Sequence, residues 1–166
     1  MTATLRLWPD PILVQRCDLV PPAAFEAAPN PAQAALRLAV EDLLTVWALV
    51  VQDAKAGKSA YPAGLAGPQA GRALAVALVS GGGRGAPPRV IVNPECVAVG
   101  PRYGMDEGCL SSPGLTRTVP RGRWVLARWQ DMSGAWHERK LTGFEAHVFQ
   151  HEADHLKGQC LAMVAP

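Results

Sequence analysis

The clearest periodic pattern in the chain is a helical repeat of apolar residues between positions 30 and 54. Its members recur at spacings of three and four: Leu36, Val40, Leu43, Leu44, Trp47 and Val51. Such spacing is typical of a helix with one buried face. Asn30 followed by Pro31 indicates its start, because asparagine caps free N–H groups and proline fits the first helical turn. We predict a long N-terminal helix that runs to about Ala54.

Beyond this helix the pattern changes to short strand-like segments. Strands are predicted at residues 73–79, 89–93, 123–129 and 135–141, with 96–99 extending the sheet. Residues 103–120 are rich in Gly, Pro and Ser, so we predict a loop there that contains Cys109. A last helix is predicted from Phe144 to Leu156, ended by Gly158. The prediction is an α+β fold in which antiparallel strands pack around the C-terminal helix, as a single domain over residues 1–166.

Composition narrows the classes of protein that need considering. The net charge of +2 gives no reason to expect a nucleic-acid partner or an acidic membrane surface. The longest apolar runs, residues 43–51 and 73–79, are far shorter than the ~20 residues that span a bilayer. The first 18 residues lack the apolar core of a signal peptide. We therefore expect a cytoplasmic protein without a membrane partner.

The last predicted helix carries the motif H-E-x-x-H at residues 151–155. Residues four apart share a helical face, so His151 and His155 can offer two imidazoles to one metal ion. Glu152 then lies where a carboxylate can accept a proton from a metal-activated water. His147 adds a competing pair with His151, but Val148 follows His147 where the motif requires a carboxylate. We choose His151 and His155.

A catalytic metal site of this type usually has three protein ligands and one open position. The four cysteines lie far apart and form no C-x-x-C pair: Cys17, Cys96, Cys109 and Cys160. Cys160 follows Gly158 so closely that a return to the metal needs an awkward turn, and His137 lies in a predicted strand and suits a surface position. Cys109, next to Gly108, can approach a metal freely. A Cys-His-His set is favoured.

Three segments of the chain resemble the motifs of the peptide deformylase family. Residues 64–69, G-L-A-G-P-Q, are similar to the first motif, G-x-G-L-A-A-x-Q. Residues 107–111 read E-G-C-L-S and residues 150–156 read Q-H-E-A-D-H-L, which match the second and third motifs. Their order and approximate spacing also match. The second and third motifs together are highly specific.

The resemblance implies a hydrolase that removes the N-formyl group from the starting methionine of nascent peptides and releases formate. It implies that Cys109, His151 and His155 bind a metal, Fe(II) in most members, with Zn, Ni or Co as substitutes. Glu152 would act as general base and then general acid. Gln69 and the Leu110 N–H would stabilise charge on the formyl oxygen. Substrate contacts are implied for Gly64, Glu107 and His147.

Some positions depart from the family pattern. Pro62 stands where the family has glycine, and it removes a backbone donor. His147 stands where the family usually has an aliphatic residue that lines the methionine pocket; it either alters specificity or lies at the pocket rim with little effect. Asp154 points away from the metal and either supports the site through Arg121 or forms an ordinary surface salt bridge. The C-terminal helix that helps the common bacterial form dock on the ribosome has no counterpart here, which puts the ribosome, a partner that the resemblance implies, in doubt.

Two alternatives accompany the deformylase interpretation. One keeps the hydrolysis but changes the substrate to another N-formyl or N-acyl compound, as His147 and Pro62 suggest. The other is a non-catalytic metal-binding relative, although such a protein would need neither Glu152 nor Gln69.

Overall fold

The computed structural model describes residues 3–81 and 86–165. The predicted N-terminal helix is α1, Pro31–Lys55. The side chain of Asn30 accepts a hydrogen bond from the Gln33 N–H at 2.9 Å, so the predicted cap is present. The apolar stripe is buried at Leu36, Val40, Leu43 and Trp47, whereas Leu44 is 45% exposed.

Five strands form one antiparallel sheet in the order β1-β2-β3-β6-β7. They are β1 (Gly64–Ala66), β2 (Val76–Val79), β3 (Arg89–Val99), β6 (Trp124–Gln130) and β7 (Trp136–Thr142). Strand β3 joins the two predicted segments, 89–93 and 96–99, into one element that contains a bulge against β6. Helix α2, Gly143–Leu156, follows β7 directly. The predicted α+β class is confirmed.

The predicted loop at residues 103–120 is wrong. This region forms a two-stranded antiparallel ribbon of β4 (Arg102–Cys109) and β5 (Ser112–Gly122). Glycine and proline are tolerated because each strand of a two-stranded ribbon has one unpaired edge. Pro120, for example, lies opposite Gly104. Cys109 is therefore the last residue of a strand and not part of an irregular loop.

The five-stranded sheet lies between the two helices, and β2 is buried on both faces. Ala77 and Val79 pack in the cluster that includes Phe149 of α2. Val76 and Leu78 belong to the second cluster, formed with α1. Successive strand residues point to opposite faces, so the continuous apolar run of β2 supplies both cores. Helix α2 is thereby fixed against the sheet, which sets the position of its histidines.

Within the described ranges, no helix combines the length and the apolar character that a membrane span requires.

Candidate metal centre

Helix α2 and the end of strand β4 bring three metal-ligating side chains together. The rings of His151 and His155 meet edge to face, with centroids 4.9 Å apart. The Sγ atom of Cys109 lies 3.3 Å from Nε2 of His155. One ligand atom from each of these residues lies within 4.8 Å of the other two. These are the three residues that the motifs indicated.

The spacing suits a single metal ion. Sulfur at ~2.3 Å and nitrogen at ~2.0 Å from a tetrahedral ion stand ~3.5 Å apart, close to the observed distance between Cys109 and His155. His151 contacts Oε2 of Glu107 through Nδ1 at 2.8 Å, which leaves its Nε2 for a ligand bond. Burial lowers the pKa of His151, but hydrogen bonds with Cys109 and Glu107 outweigh it and raise the pKa to about 10. The cluster thus favours a positive charge at this place.

The competing candidates lie elsewhere. Among the residues that the structure describes, the only group of three with ligand geometry is the one named above. His147 is turned to Glu107, with Nε2 2.7 Å from Oε1. The His137 side chain is 46% exposed and contacts Asp131. The His151/His155 pair is therefore the one placed beside Cys109.

Glu107 is the centre of a buried polar network. Its Oε1 accepts from Arg121 Nε at 2.6 Å, and its Oε2 accepts from Arg121 at 3.0 Å. His147 and His151 contact the same two oxygens. Burial would raise the pKa of Glu107, but these hydrogen bonds outweigh it and hold the pKa well below its usual range. The carboxylate is thus fully engaged by the protein, which supports a role in positioning side chains; the substrate contact that the resemblance implied for Glu107 stays a prediction.

Arg121 also pairs with Asp154, as the sequence suggested. The Arg121 side chain is only 8% exposed, so this pair is not an ordinary surface salt bridge. Asp154 therefore supports the network behind the metal cluster through Arg121.

Glu152 is buried next to the cluster, with 3% of its surface exposed. Its Oε2 has no hydrogen-bond partner within the described part of the chain. Burial raises the pKa of its carboxyl to about 7. A Cβ atom at Gly64 would lie 2.2 Å from Glu152 Oε1, so only glycine leaves room for this carboxylate. The backbone of β1 and Glu152 are therefore in direct contact.

The orientation of the Gln69 amide follows from its partners. Its Oε1 accepts from the Ala66 N–H at 2.8 Å, so its NH₂ group must face the opposite way. That group donates to Ser111 Oγ at 3.1 Å and lies 3.7 Å from Cys109 Sγ. One amide hydrogen is thereby given to Ser111, and the other is directed to Cys109 of the cluster. Leu110, the other residue assigned to the formyl oxygen, follows Cys109 in the turn between β4 and β5.

A cleft of about 720 Å³ gives access to these groups. It is lined by Gly64, Gln69, Cys109, His147, His151 and Glu152, among others. Leu110 and Phe144 also contribute to its wall. The metal cluster, the unpartnered carboxylate and the amide donors therefore open onto one substrate-sized space.

The sequence motifs did not predict two roles in this site. Ser111 orients Gln69, and Glu107 binds both a ligand histidine and His147. A strand assignment at 102–109 would have indicated the second role, because Glu107 and Cys109 then point to the same face. The glycine-rich composition concealed that alternation.

The site combines a thiolate with two imidazoles and a carboxylate from an H-E-x-x-H helix. This combination is typical of a hydrolase that uses a single metal ion. Here it lies between the antiparallel β4–β5 ribbon and helix α2, where it opens onto the cleft.

The chain belongs to the polypeptide deformylase family, whose model matches residues 3–165. Peptide deformylase 2 of Shewanella oneidensis is 44% identical over 72 residues, which are 43% of this chain and 40% of that protein. Peptide deformylase of Thermotoga neapolitana is 38% identical over 96 residues, 57% of each protein. The matched region therefore spans less than two thirds of these curated relatives.

Solved peptide deformylases have the same fold over nearly the whole chain. The Legionella pneumophila structure is 29% identical, with a TM-score of 0.77, and the match covers 100% of this chain and 88% of that one. The Thermotoga maritima structure is 26% identical, with a TM-score of 0.74 and coverage of 100% and 99%. The recognised family and the α+β fold are both confirmed.

Proposed function

We propose that this protein is a metal-dependent deformylase that hydrolyses the N-formyl group of formylmethionyl peptides in the cytoplasm, releasing formate and a free amine. The observation that carries the proposal is the position of the buried Glu152 carboxylate beside the ligand set of Cys109, His151 and His155; within the described residues its Oε2 has no hydrogen-bond partner. The names of the relatives agree with this activity.

The metal would be held by Cys109, His151 and His155. When bound, it supplies Lewis-acid chemistry, polarising a carbonyl oxygen and lowering the pKa of a water molecule. A soft thiolate with two imidazoles suits Fe(II), Zn, Ni or Co. We propose Fe(II) on the resemblance of the motifs; the thiolate of Cys109 is then a site of oxidative inactivation.

Glu152 would move the proton. It takes a proton from the attacking water as the carbon–oxygen bond forms, and it delivers that proton to the amine nitrogen as the carbon–nitrogen bond breaks. Its burial excludes competing water, and its contact with Gly64 holds the carboxylate in place. One residue thus serves as base and acid.

Gln69 and Leu110 would stabilise the charge that develops on the formyl oxygen. The Gln69 NH₂ is already directed at the cluster, because Ala66 fixes the amide orientation. Donors held in place before the reaction need no reorganisation in the transition state. Gly64 would contact the substrate backbone along β1.

The test is formate release from formyl-Met-Ala-Ser by anaerobically prepared protein loaded with Fe(II). Glu152→Gln is the matched control, since it keeps the size of the side chain and the three ligands but removes the base. We expect turnover by the wild type and a large loss in the variant at equal metal content. A fully metallated wild type that releases no formate would overturn the proposal.

The two alternatives are not favoured. The relatives described above are named for peptide deformylation, and Oε2 of the buried Glu152 has no hydrogen-bond partner among the described residues, so a structural hydrogen bond does not account for it.

A further inference from the structure

His147 and His151 lie one helical turn apart on α2 and contact the two oxygens of a single carboxylate. His147 Nε2 is 2.7 Å from Oε1 of Glu107, and His151 Nδ1 is 2.8 Å from Oε2. The Glu107 side chain is 2% exposed and the His147 side chain is 9% exposed. The helix therefore holds Glu107 at two points.

The protonation of both rings follows from this contact. An ionised carboxylate only accepts hydrogen bonds, so each imidazole must donate. His151 donates through Nδ1, so Nε2 is the ring atom on the side of Cys109 that a metal ion would bind. His147 presents Nε2 to Oε1 as a hydrogen-bond partner of the carboxylate, and its own Nδ1 is buried without a hydrogen-bond partner among the described residues. An unsatisfied buried nitrogen is costly, so packing alone does not account for a histidine here.

Arg121 cannot replace His147 in this arrangement. Arg121 approaches both oxygens of Glu107 as a fork, but it does so from strand β5 and not from α2. His147 restrains Oε1 from the side of α2, and the parallel ring of Phe144, 6.5 Å away, packs against His147. Loss of His147 therefore removes the contact of Oε1 with α2 and leaves the contact of His151 with Oε2.

We infer that His147 is a positioning residue for the metal centre: it holds Glu107 in the orientation that fixes the tautomer and ring direction of the ligand His151. The inference rests on the proposed function only in taking His151 as a metal ligand. His147 stands where the family usually has an aliphatic residue, and an aliphatic side chain could not form a hydrogen bond with Glu107.

The experiment compares His147→Met with His147→Gln. The two side chains are similar in size and flexibility, but only glutamine can donate to Glu107 from the place of the imidazole Nε2. Wild type and variants are loaded with Co(II), and dissociation of Co(II) into excess EDTA is followed by the loss of the thiolate–cobalt absorption. Thermal unfolding of each protein is measured alongside to verify the fold.

We expect His147→Met to release Co(II) ~10-fold faster, at the low end of the ~10- to 100-fold typical for partners of metal ligands. The visible spectrum of bound Co(II) should shift in that variant, and His147→Gln should restore both properties. Equal dissociation rates and spectra for the Met and Gln variants would overturn the inference, because a packing role does not distinguish them. If the wild type hydrolyses no formyl peptide, the proposed function fails, and the dissociation rates still decide the role of His147.

Discussion

Gly64→Ala is the most direct test of how closely the reaction depends on the position of Glu152. The added Cβ would lie 2.2 Å from Oε1, 2.5 Å from Cδ and 2.7 Å from Cγ of Glu152. Ordinary contact begins at 3.4 Å, so the carboxylate must move by about 1.2 Å. A displacement of ~1 Å at a reacting group costs ~100-fold in rate. We therefore expect kcat to fall about 100-fold.

The metal ligands are not in the path of this Cβ, so metal content should stay at the wild-type level. The assay is formate release at saturating formyl-Met-Ala-Ser, with metal measured on the same sample. Gly108→Ala is the matched control: it makes the same change in the wall of the same cleft, but its Cβ meets nothing closer than 3.9 Å. Wild-type kcat in fully metallated Gly64→Ala would refute the reasoning that the Glu152 position limits the rate.

Three further outcomes are expected. Gln69→Leu should lower kcat ~100- to 1,000-fold, as loss of a donor to a developing oxyanion does; unchanged kcat at equal metal content would contradict its role. Arg121→Met should reduce the free energy of unfolding by ~3–5 kcal/mol, measured with urea, because Glu107 and Asp154 lose their buried partner; a change below ~1 kcal/mol would show the pair to act as a surface pair. Burial, with a smaller effect of Asp18, raises the pKa of Cys17 from 9.0 to about 12. The protonated thiol therefore stabilises the folded state below pH 9, and this stabilisation is lost as the pH rises from 9 to 12. Cys17→Ala should therefore show a shallower loss of stability over that range than the wild type, and parallel curves would contradict the shift.

Several features of this protein follow from local sequence alone. The Asn30-Pro31 pair specifies the start of α1 because capping involves only neighbouring backbone groups. The i, i+4 spacing places His151 and His155 on one face of α2 whatever the rest of the chain does. The same holds for Gly158, which follows the end of α2 with a φ of 78°. Each is decided by interactions within a few residues.

Other features were decided only by the tertiary structure. The ribbon of β4 and β5 depends on pairing between strands, and local composition predicted a loop in its place. Cys109 reaches His155 across 46 positions, because β4 ends where the sheet places α2. The sequence motif suggested this ligand, but spacing along the chain does not encode the distance between the two atoms.

The Glu107 network shows the same division most clearly. The sequence by itself determined that His147, His151 and His155 form one stripe on α2. The position of Glu152 favoured His151 and His155 as the metal pair, but the sequence did not place His147 against the Glu107 carboxylate. Packing decided that, since β4 presents Cys109 to one end of the stripe and Glu107 to the other. A helix fixes the relative directions of its own side chains, whereas their partners are fixed only when a second element packs against it.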